Sequence, residues 1–432
     1  MSNAVDSYTP DSGSADYVVD HYDLKLHYRM SSGHLKAVAQ LNLTLLRDVR
    51  HLSLDISGLH VGKVFVNGAA NKNHKQSPTK LSIKLGDEHP AGSHLKVEVH
   101  YSGTPRPRSS RWGTVGWEEL TDGVVVAAQP TGAPSWFPCN DLPRFKSTFT
   151  ISVTTERSYA VIATGELLST SEKSGFTTWN FRQDVPTPTY LASIQIGRYR
   201  HRENELAGVP VHIFVPPANE PKVNADLDKL EEMMRFFSET FGPYPFESYT
   251  VVATADELEI PLEAQGMAIF GANHLDGSNP EERLVAHELA HQWFGNSVGI
   301  AQWSDIWLNE GFACYAEWLW SEQAGGITTQ GMAESHHVLL RQQEQNIIVG
   351  DPGPKLMFDD RVYKRGALTL HALRLALGDK EFFSVLTQWV AQHRHALGTT
   401  EDFISLCQKH SSEDLAPLFD RWLFQSKLPA LS

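Results

Sequence analysis

Between residues 16 and 199 the chain repeats with period two. Tyr22, Leu24, Leu26 and Tyr28 alternate with Asp23, Lys25 and His27, and the alternation returns at Leu41, Leu43 and Leu45 and at Leu81, Ile83 and Leu85. Successive side chains of a strand point to opposite faces, so this pattern predicts strands with one buried face. Turn signals such as Asn67-Gly68 and Asp122-Gly123 separate the runs, and further strands are predicted over 148–153, 159–163 and 190–197. The first part therefore reads as an all-β domain over residues 17–203. The mostly polar residues 1–16 before it are expected to form a disordered tail.

The period changes after one more predicted strand, over 211–215. Leu227, Leu230, Met233, Met234, Phe237 and Phe241 recur at helical spacing, and Gly242-Pro243 ends the run. From residue 280 onward most segments read as helices, with caps at Ser278 or Asn279 and at Thr399 or Thr400. The fold class is therefore multidomain α+β: an all-β domain followed by a mainly α-helical domain over residues 204–432.

Charge and composition narrow the partners. Against 37 Lys and Arg stand 51 Asp and Glu, a net charge of −14. Nucleic acid is thus not the expected partner, since phosphate binding needs clustered cations. The longest apolar runs, such as 124–128, fall far short of the roughly 20 residues of a membrane span, so no membrane association is expected. Cys139, Cys314 and Cys407 are odd in number and far apart, which argues against a disulfide framework and, with no apolar leader at the start, for a cytoplasmic protein. A monomer is expected.

The chemistry concentrates at His287-Glu288-Leu289-Ala290-His291. Asn279 as N-cap, Pro280 in the first turn and Glu281 and Glu282 beside the positive end of the dipole predict a helix start just upstream. Residues four apart share a helical face, so both imidazoles can reach one cation, with Glu288 beside it to take a proton from a bound water. In a chain with 20 histidines the pentapeptide alone is also compatible with a chance surface helix. A third ligand weighs against that: 18 residues intervene between His291 and Glu310, which lies in Trp307-Leu308-Asn309-Glu310-Gly311-Phe312-Ala313, a helix that Ser304 or Asp305 can cap. Two His and one carboxylate fill three tetrahedral positions on zinc and leave the fourth for water.

Residues 287–298 (HELAHQWFGNSV) and 303–313 (WSDIWLNEGFA) closely resemble the zinc signature of the aminopeptidase N family of gluzincin metallopeptidases. The resemblance runs from about residue 17 to Leu431, through Phe419-Asp420-Arg421-Trp422-Leu423 and Leu428-Pro429 near the end. It implies a saddle-like N-terminal β domain, a thermolysin-like catalytic domain and one Zn2+ per chain. The helical C-terminal domain that most members carry beyond that point is not found here, so a short two-domain form is expected. The resemblance also implies roles for further residues. Ile260-Pro261-Leu262-Glu263-Ala264 aligns with the family's Gly-Ala-Met-Glu-Asn segment, whose Glu binds the substrate's α-amine; Glu263 survives while Gly, Met and Asn do not. Gln129, ahead of Phe137-Pro138-Cys139 and Asp141, falls where members place a Glu or Gln that also contacts the amine. Tyr363, in Val362-Tyr363-Lys364-Arg365-Gly366-Ala367, aligns with the tyrosine that donates to the oxyanion, although Lys364 and Arg365 replace the usual Glu-Lys.

Taken singly, Glu263 also reads as a solvated loop carboxylate, Gln129 as a strand-end amide and Tyr363 as a packing residue. His336, His337, His393 and His395 lack carboxylates at metal spacing and read as solvated helix faces. Together the residues imply a zinc aminopeptidase acting on peptides with a free N-terminus. His287, His291 and Glu310 would be ligands, Glu288 the base and Tyr363 the oxyanion donor. Glu263 and Gln129 would hold the amine. The same fold acting on an epoxide or on internal peptide bonds, or serving as a non-catalytic peptide-binding scaffold, stays open at this level.

Overall fold

The computed structural model describes residues 5–278 and 281–431. The chain divides between His201 and Arg202 into two compact units, with the short stretches Phe214–Pro217 and Thr254–Asp256 grouped with the first. The N-cap candidate Asn279 and the first-turn Pro280 lie outside the described residues.

The first unit is all β. Its largest sheet has eight strands, in spatial order Glu166–Lys173, Phe176–Pro188, Lys146–Glu156, Tyr17–Arg29, His34–Leu45, His94–Gly103, His60–Val66 and Ala69–Asn71. Period two shows directly in burial: Tyr22, Leu24, Leu26 and Tyr28 are buried, and Tyr22 meets Phe149 at 5.0 Å and Phe137 at 5.3 Å between ring centroids. A register shift between Val19 and His21 moves the buried phase from Tyr17 and Val19 to Tyr22 and Leu24. The Asn67-Gly68 turn has φ of 49° and 80°, the left-handed pair that a two-residue hairpin needs between His60–Val66 and Ala69–Asn71. The predicted strand over 190–197 is shorter than expected, Ile194–Gly197, because Thr189–Leu191 form a 3-10 turn.

The expected tail is a correction. Residues 5–16 are fastened to the first unit: Tyr8 is buried, Gly13 N–H donates to Asp55 Oδ2 at 2.8 Å, and Ser14 N–H donates to Asn140 Oδ1 at 2.7 Å. Backbone N–H groups dock this stretch, and polar side chains such as Asp6, which accepts from Tyr8 N–H at 2.9 Å, serve its local turns rather than solvation, a distinction that composition cannot make.

The second unit holds most of a five-stranded sheet in the order Arg200–Leu206, Val209–Val215, Tyr249–Ala253, Met267–Phe270 and Leu262–Ala264. Its last three strands were not expected from periodicity; buried on both faces, Tyr249–Ala253 and Met267–Phe270 show no alternation. The helices follow as α1 (Glu220–Asp226), α2 (Leu230–Phe241), α3 (Glu282–Ala290), α4 (Trp307–Gln323), α5 (Thr329–Arg341), α6 (Asp360–Leu377), α7 (Asp379–Gln392) and α8 (Thr400–Lys409). Helix α8 starts with the expected Thr399, whose side chain and that of Asp402 form a capping box. Asp305 does not cap α4. It accepts instead from Thr400 N–H at 3.2 Å and Thr400 Oγ1 at 2.7 Å, which ties the start of α4 to α8.

Helix α4 is buried on every side from Trp307 to Trp320, as befits the central element of a helical layer. It crosses α6 at a pair of glycines. A Cβ on Gly366 would lie 2.9 Å from Gly311 Cα, so only glycine at both positions allows this approach. Gly311 adjoins Glu310 and Gly366 lies three residues after Tyr363. The same contact that packs the two helices therefore sets the distance between their functional side chains.

Candidate metal centre and surroundings

Helix α3 carries His287 and Glu288, and its C-cap is His291; α4 contributes Glu310 in its first turn. His287 Nε2 and His291 Nε2 stand 3.6 and 3.4 Å from Glu310 Oε2, and the three ligand atoms all fall within 4.8 Å of one another. All three residues are buried. Among the described residues this is the one His/Cys/Asp/Glu cluster tight enough to share an ion.

Each imidazole is oriented by a bond at its far nitrogen. His287 Nδ1 meets Glu317 Oε1 at 2.7 Å, and His291 Nδ1 meets the Phe294 carbonyl at 3.0 Å. With Nδ1 engaged, Nε2 is the free donor of each ring, and both Nε2 atoms face Glu310. The turn after α3 depends on Gly295, whose φ is +110° and whose Cβ would sit 3.2 Å from His291 Nδ1.

Electrostatics test whether a cation fits. Burial alone would push both imidazoles down, yet Glu310 and Glu317 raise His287 to about 10, and Glu310 and Glu263 raise His291 to about 9. Glu310 moves the other way: burial opposes its charge, but the two imidazoles hold it well below the usual carboxylate range. Clustered carboxylates that draw protons onto buried imidazoles mark a site short of positive charge. A dication with His, His and carboxylate ligands supplies that charge, and the donor set suits zinc.

Glu288 belongs electrostatically to the same cluster. Burial raises its carboxyl, partly offset by His287 and His291, and its Oε2 is buried with no hydrogen-bond partner among the described residues. Tyr363, on α6, lies almost parallel to the His287 ring at 6.2 Å between centroids. Burial and the surrounding carboxylates raise its phenol well above the ordinary range, so it stays a donor at neutral pH.

Glu263 sits on the edge strand Leu262–Ala264, opposite Ala268. Burial raises its carboxyl, and His291 and Glu310 act on it electrostatically, so the residue belongs to the same cluster. Two side chains that sequence reasoning passed over fasten this strand to the metal helix. Gln292 Oε1 accepts from Gly266 N–H at 2.9 Å, and Asn296 Nδ2 donates to the Ala264 carbonyl at 2.9 Å. Both lie in the same 287–298 run as the histidines. Gln129 belongs to the first unit, where its Nε2 is buried without a partner among the described residues.

Glu317 is the other residue missed. Burial works against its charge, but the bond with His287 and the Lys364 and Arg283 cations hold it below the usual carboxylate range. Its signal was faint: seven residues after Glu310, two helical turns, it shares that residue's face. Three of the other histidines singled out in the sequence, His336, His337 and His393, are structural rather than solvated. His336 stacks on Trp318, His337 Nε2 meets the Pro429 carbonyl at 2.7 Å, and His393 Nδ1 meets the Leu397 carbonyl at 2.8 Å. Arg365, one of the two departures in the tyrosine segment, is buried and donates to the carbonyls of Trp422, Ser426 and Arg421 at 2.9, 2.7 and 3.0 Å.

Residues 18–191 match the Peptidase M1 N-terminal domain, and residues 225–422 match the Peptidase family M1 domain. The M1 zinc metallopeptidase from Deinococcus radiodurans, solved as a mutant bound to a Tyr-Ser-Ala substrate, is 30% identical with a TM-score of 0.87, covering 99% of this chain and 98% of that one. A two-domain M1 zinc metallopeptidase mutant bound to L-tryptophan is 31% identical over the same shares, with a TM-score of 0.88. The chain belongs to peptidase family M1. Among curated relatives, Aminopeptidase M1 of Arabidopsis thaliana is 23% identical over 96% of this chain and 51% of its own length. Endoplasmic reticulum aminopeptidase 1 of Homo sapiens is 25% identical over 90% of this chain and 45% of its own. The chain thus spans about half the length of these curated relatives.

Proposed function

We propose that this chain is a zinc aminopeptidase that hydrolyses the first peptide bond of substrates with a free N-terminus. The observation that carries the reading is the convergence of three buried ligand atoms within 4.8 Å with the unpartnered Oε2 of Glu288. His287, His291 and Glu310 would hold the metal, which would supply Lewis-acid polarisation of the scissile carbonyl and of the attacking water. Glu288 accepts the water's proton and returns it to the leaving amine. Tyr363 donates from its hydroxyl to the oxygen that gains charge as the carbonyl becomes tetrahedral. Glu263 pairs with the substrate's α-ammonium. The edge position of Leu262–Ala264 supports this role, because an unpaired strand edge can align an extended peptide. The tripeptide held by the Deinococcus relative supports a peptide rather than an epoxide as substrate.

The test is a panel of aminoacyl-chromogenic substrates, free and N-acetylated, run with and without a chelator. Free substrates should turn over, chelation should abolish the rate, zinc should restore it, and acetylation should lower kcat/KM at least 10-fold. Equal rates on blocked and free substrates would make the protein an endopeptidase and remove the role of Glu263. No turnover with zinc bound would leave the scaffold reading.

A further inference from the structure

One carboxylate next to the metal cluster takes no part in the chemistry above. Glu317 has a side chain 4% exposed and a 2.7 Å contact with His287 Nδ1. A carboxylate bonded there fixes the tautomer, keeps the ring from turning about its Cβ–Cγ bond and makes Nε2 a stronger donor. His291 is held by a neutral backbone carbonyl instead, so the two imidazoles are unequal. A buried carboxylate also needs counter-charge. Arg283 Nη1 stands 3.7 Å from Glu317 Oε2, but the Arg283 side chain is 53% exposed, where solvent weakens the pair. Lys364 is better shielded at 14% exposure, with Nζ 3.4 Å from Cys314 Sγ. Cys314 lies three residues before Glu317 on α4, so the ammonium rests against the helix face that bears the carboxylate.

We propose that Glu317 is a positioning residue for His287, held in place by Lys364 and Arg283, and that the metal affinity of the site depends on it. The proposal rests on the reading of His287 as a ligand. Removal of partners that orient a metal-binding imidazole costs about 10–100-fold in metal affinity. The test measures the zinc dissociation constant by competition with a chromogenic chelator, at one pH and well below the unfolding temperature. Glu317→Ala should raise the constant about 10–100-fold, and Glu317→Gln, which keeps an acceptor but not the charge, should fall between it and the wild type. The cobalt-substituted Glu317→Gln protein should show shifted visible bands, which a purely structural role would not produce. Arg365→Lys loosens α6, the helix of Lys364 rather than that of Glu317, without touching Glu317 or His287, and its zinc constant should stay within about twofold of wild type, since sites without shared partners act independently. His287→Ala separates the two readings. If it loses zinc while both Glu317 variants bind as wild type, the positioning role is wrong. If it keeps zinc, the metal centre itself is wrong and this inference falls with it.

Discussion

The glycine contact between α4 and α6 yields a prediction whose sign opposes the usual rule. Gly→Ala inside a helix ordinarily stabilises by about 0.5–1 kcal/mol, through lower backbone entropy in the unfolded chain. At Gly366 the new Cβ would stand 2.9 Å from Gly311 Cα, and a backbone atom cannot rotate away. Ordinary carbon contacts lie at about 3.5–4.0 Å, so the helices must part by about 0.5–1 Å. Overpacking of this kind costs about 1–3 kcal/mol, which leaves Gly366→Ala destabilised by as much as about 2 kcal/mol after the propensity gain. For a unit of this size that is a fall of up to about 8 °C in Tm. Activity should suffer more than stability, because the shift carries Tyr363 away from the ligands while α3 keeps both histidines. A misplacement near 1 Å at a reacting centre can cost about 10²-fold, so kcat should drop roughly 10–100-fold with zinc retained. The control is Gly331→Ala in α5, where the Cβ meets only side-chain ends, Ile327 Cγ2 at 3.0 Å and Thr328 Oγ1 at 3.2 Å. It should leave kcat unchanged and Tm equal or higher. Calorimetry, zinc content and steady-state kinetics on the three proteins decide the matter. A Gly366→Ala protein as stable and as fast as wild type would refute the link between this packing contact and catalysis.

Glu288→Gln should keep stoichiometric zinc and lose turnover by about 10²–10⁴-fold, since the amide cannot accept the water's proton; elemental analysis with kinetics reads both. Tyr363→Phe retains the ring beside His287 and removes only the hydroxyl, so kcat should fall about 10²–10³-fold with KM little changed. Glu263→Gln should lower kcat/KM on free aminoacyl substrates about 10–200-fold and have little effect on acetylated ones, as expected from loss of one charge-assisted bond of about 1.5–3 kcal/mol. Arg365→Lys cannot reach several carbonyls at once, and should cost about 2–4 kcal/mol with faster proteolysis within residues 421–427.

What could be read in advance depended on how far apart the cooperating residues lie. His287 and His291 share one helical turn, so their joint orientation follows from helix geometry, and Glu310 follows at a fixed short interval. The strands of the first unit were legible for the same reason, since Tyr22 to Tyr28 alternate within seven residues. Tyr363 and Glu263 carry no local signature and were reached only through resemblance to a family. Glu317 could not be picked out, because one more glutamate in a helix otherwise rich in Trp, Tyr and Ala looks like a solvated residue. Only the fold shows that α4 has no solvated side over most of its length. The reverse error occurred at residues 5–16, a polar stretch that looked solvated, where the backbone N–H groups of Gly13 and Ser14 donate to Asp55 and Asn140 far along the chain. Asp305 misled likewise: a good cap for the helix beside it, it is taken by Thr400, 95 residues away. In each case local propensity named a sound partner, and a distant one with better burial displaced it. The glycines at 311 and 366 are the extreme case, since their meaning exists only between two helices. A Gly in a helix reads as a defect until the facing Gly is known, and then it is what allows Tyr363 and Glu310 to approach one point.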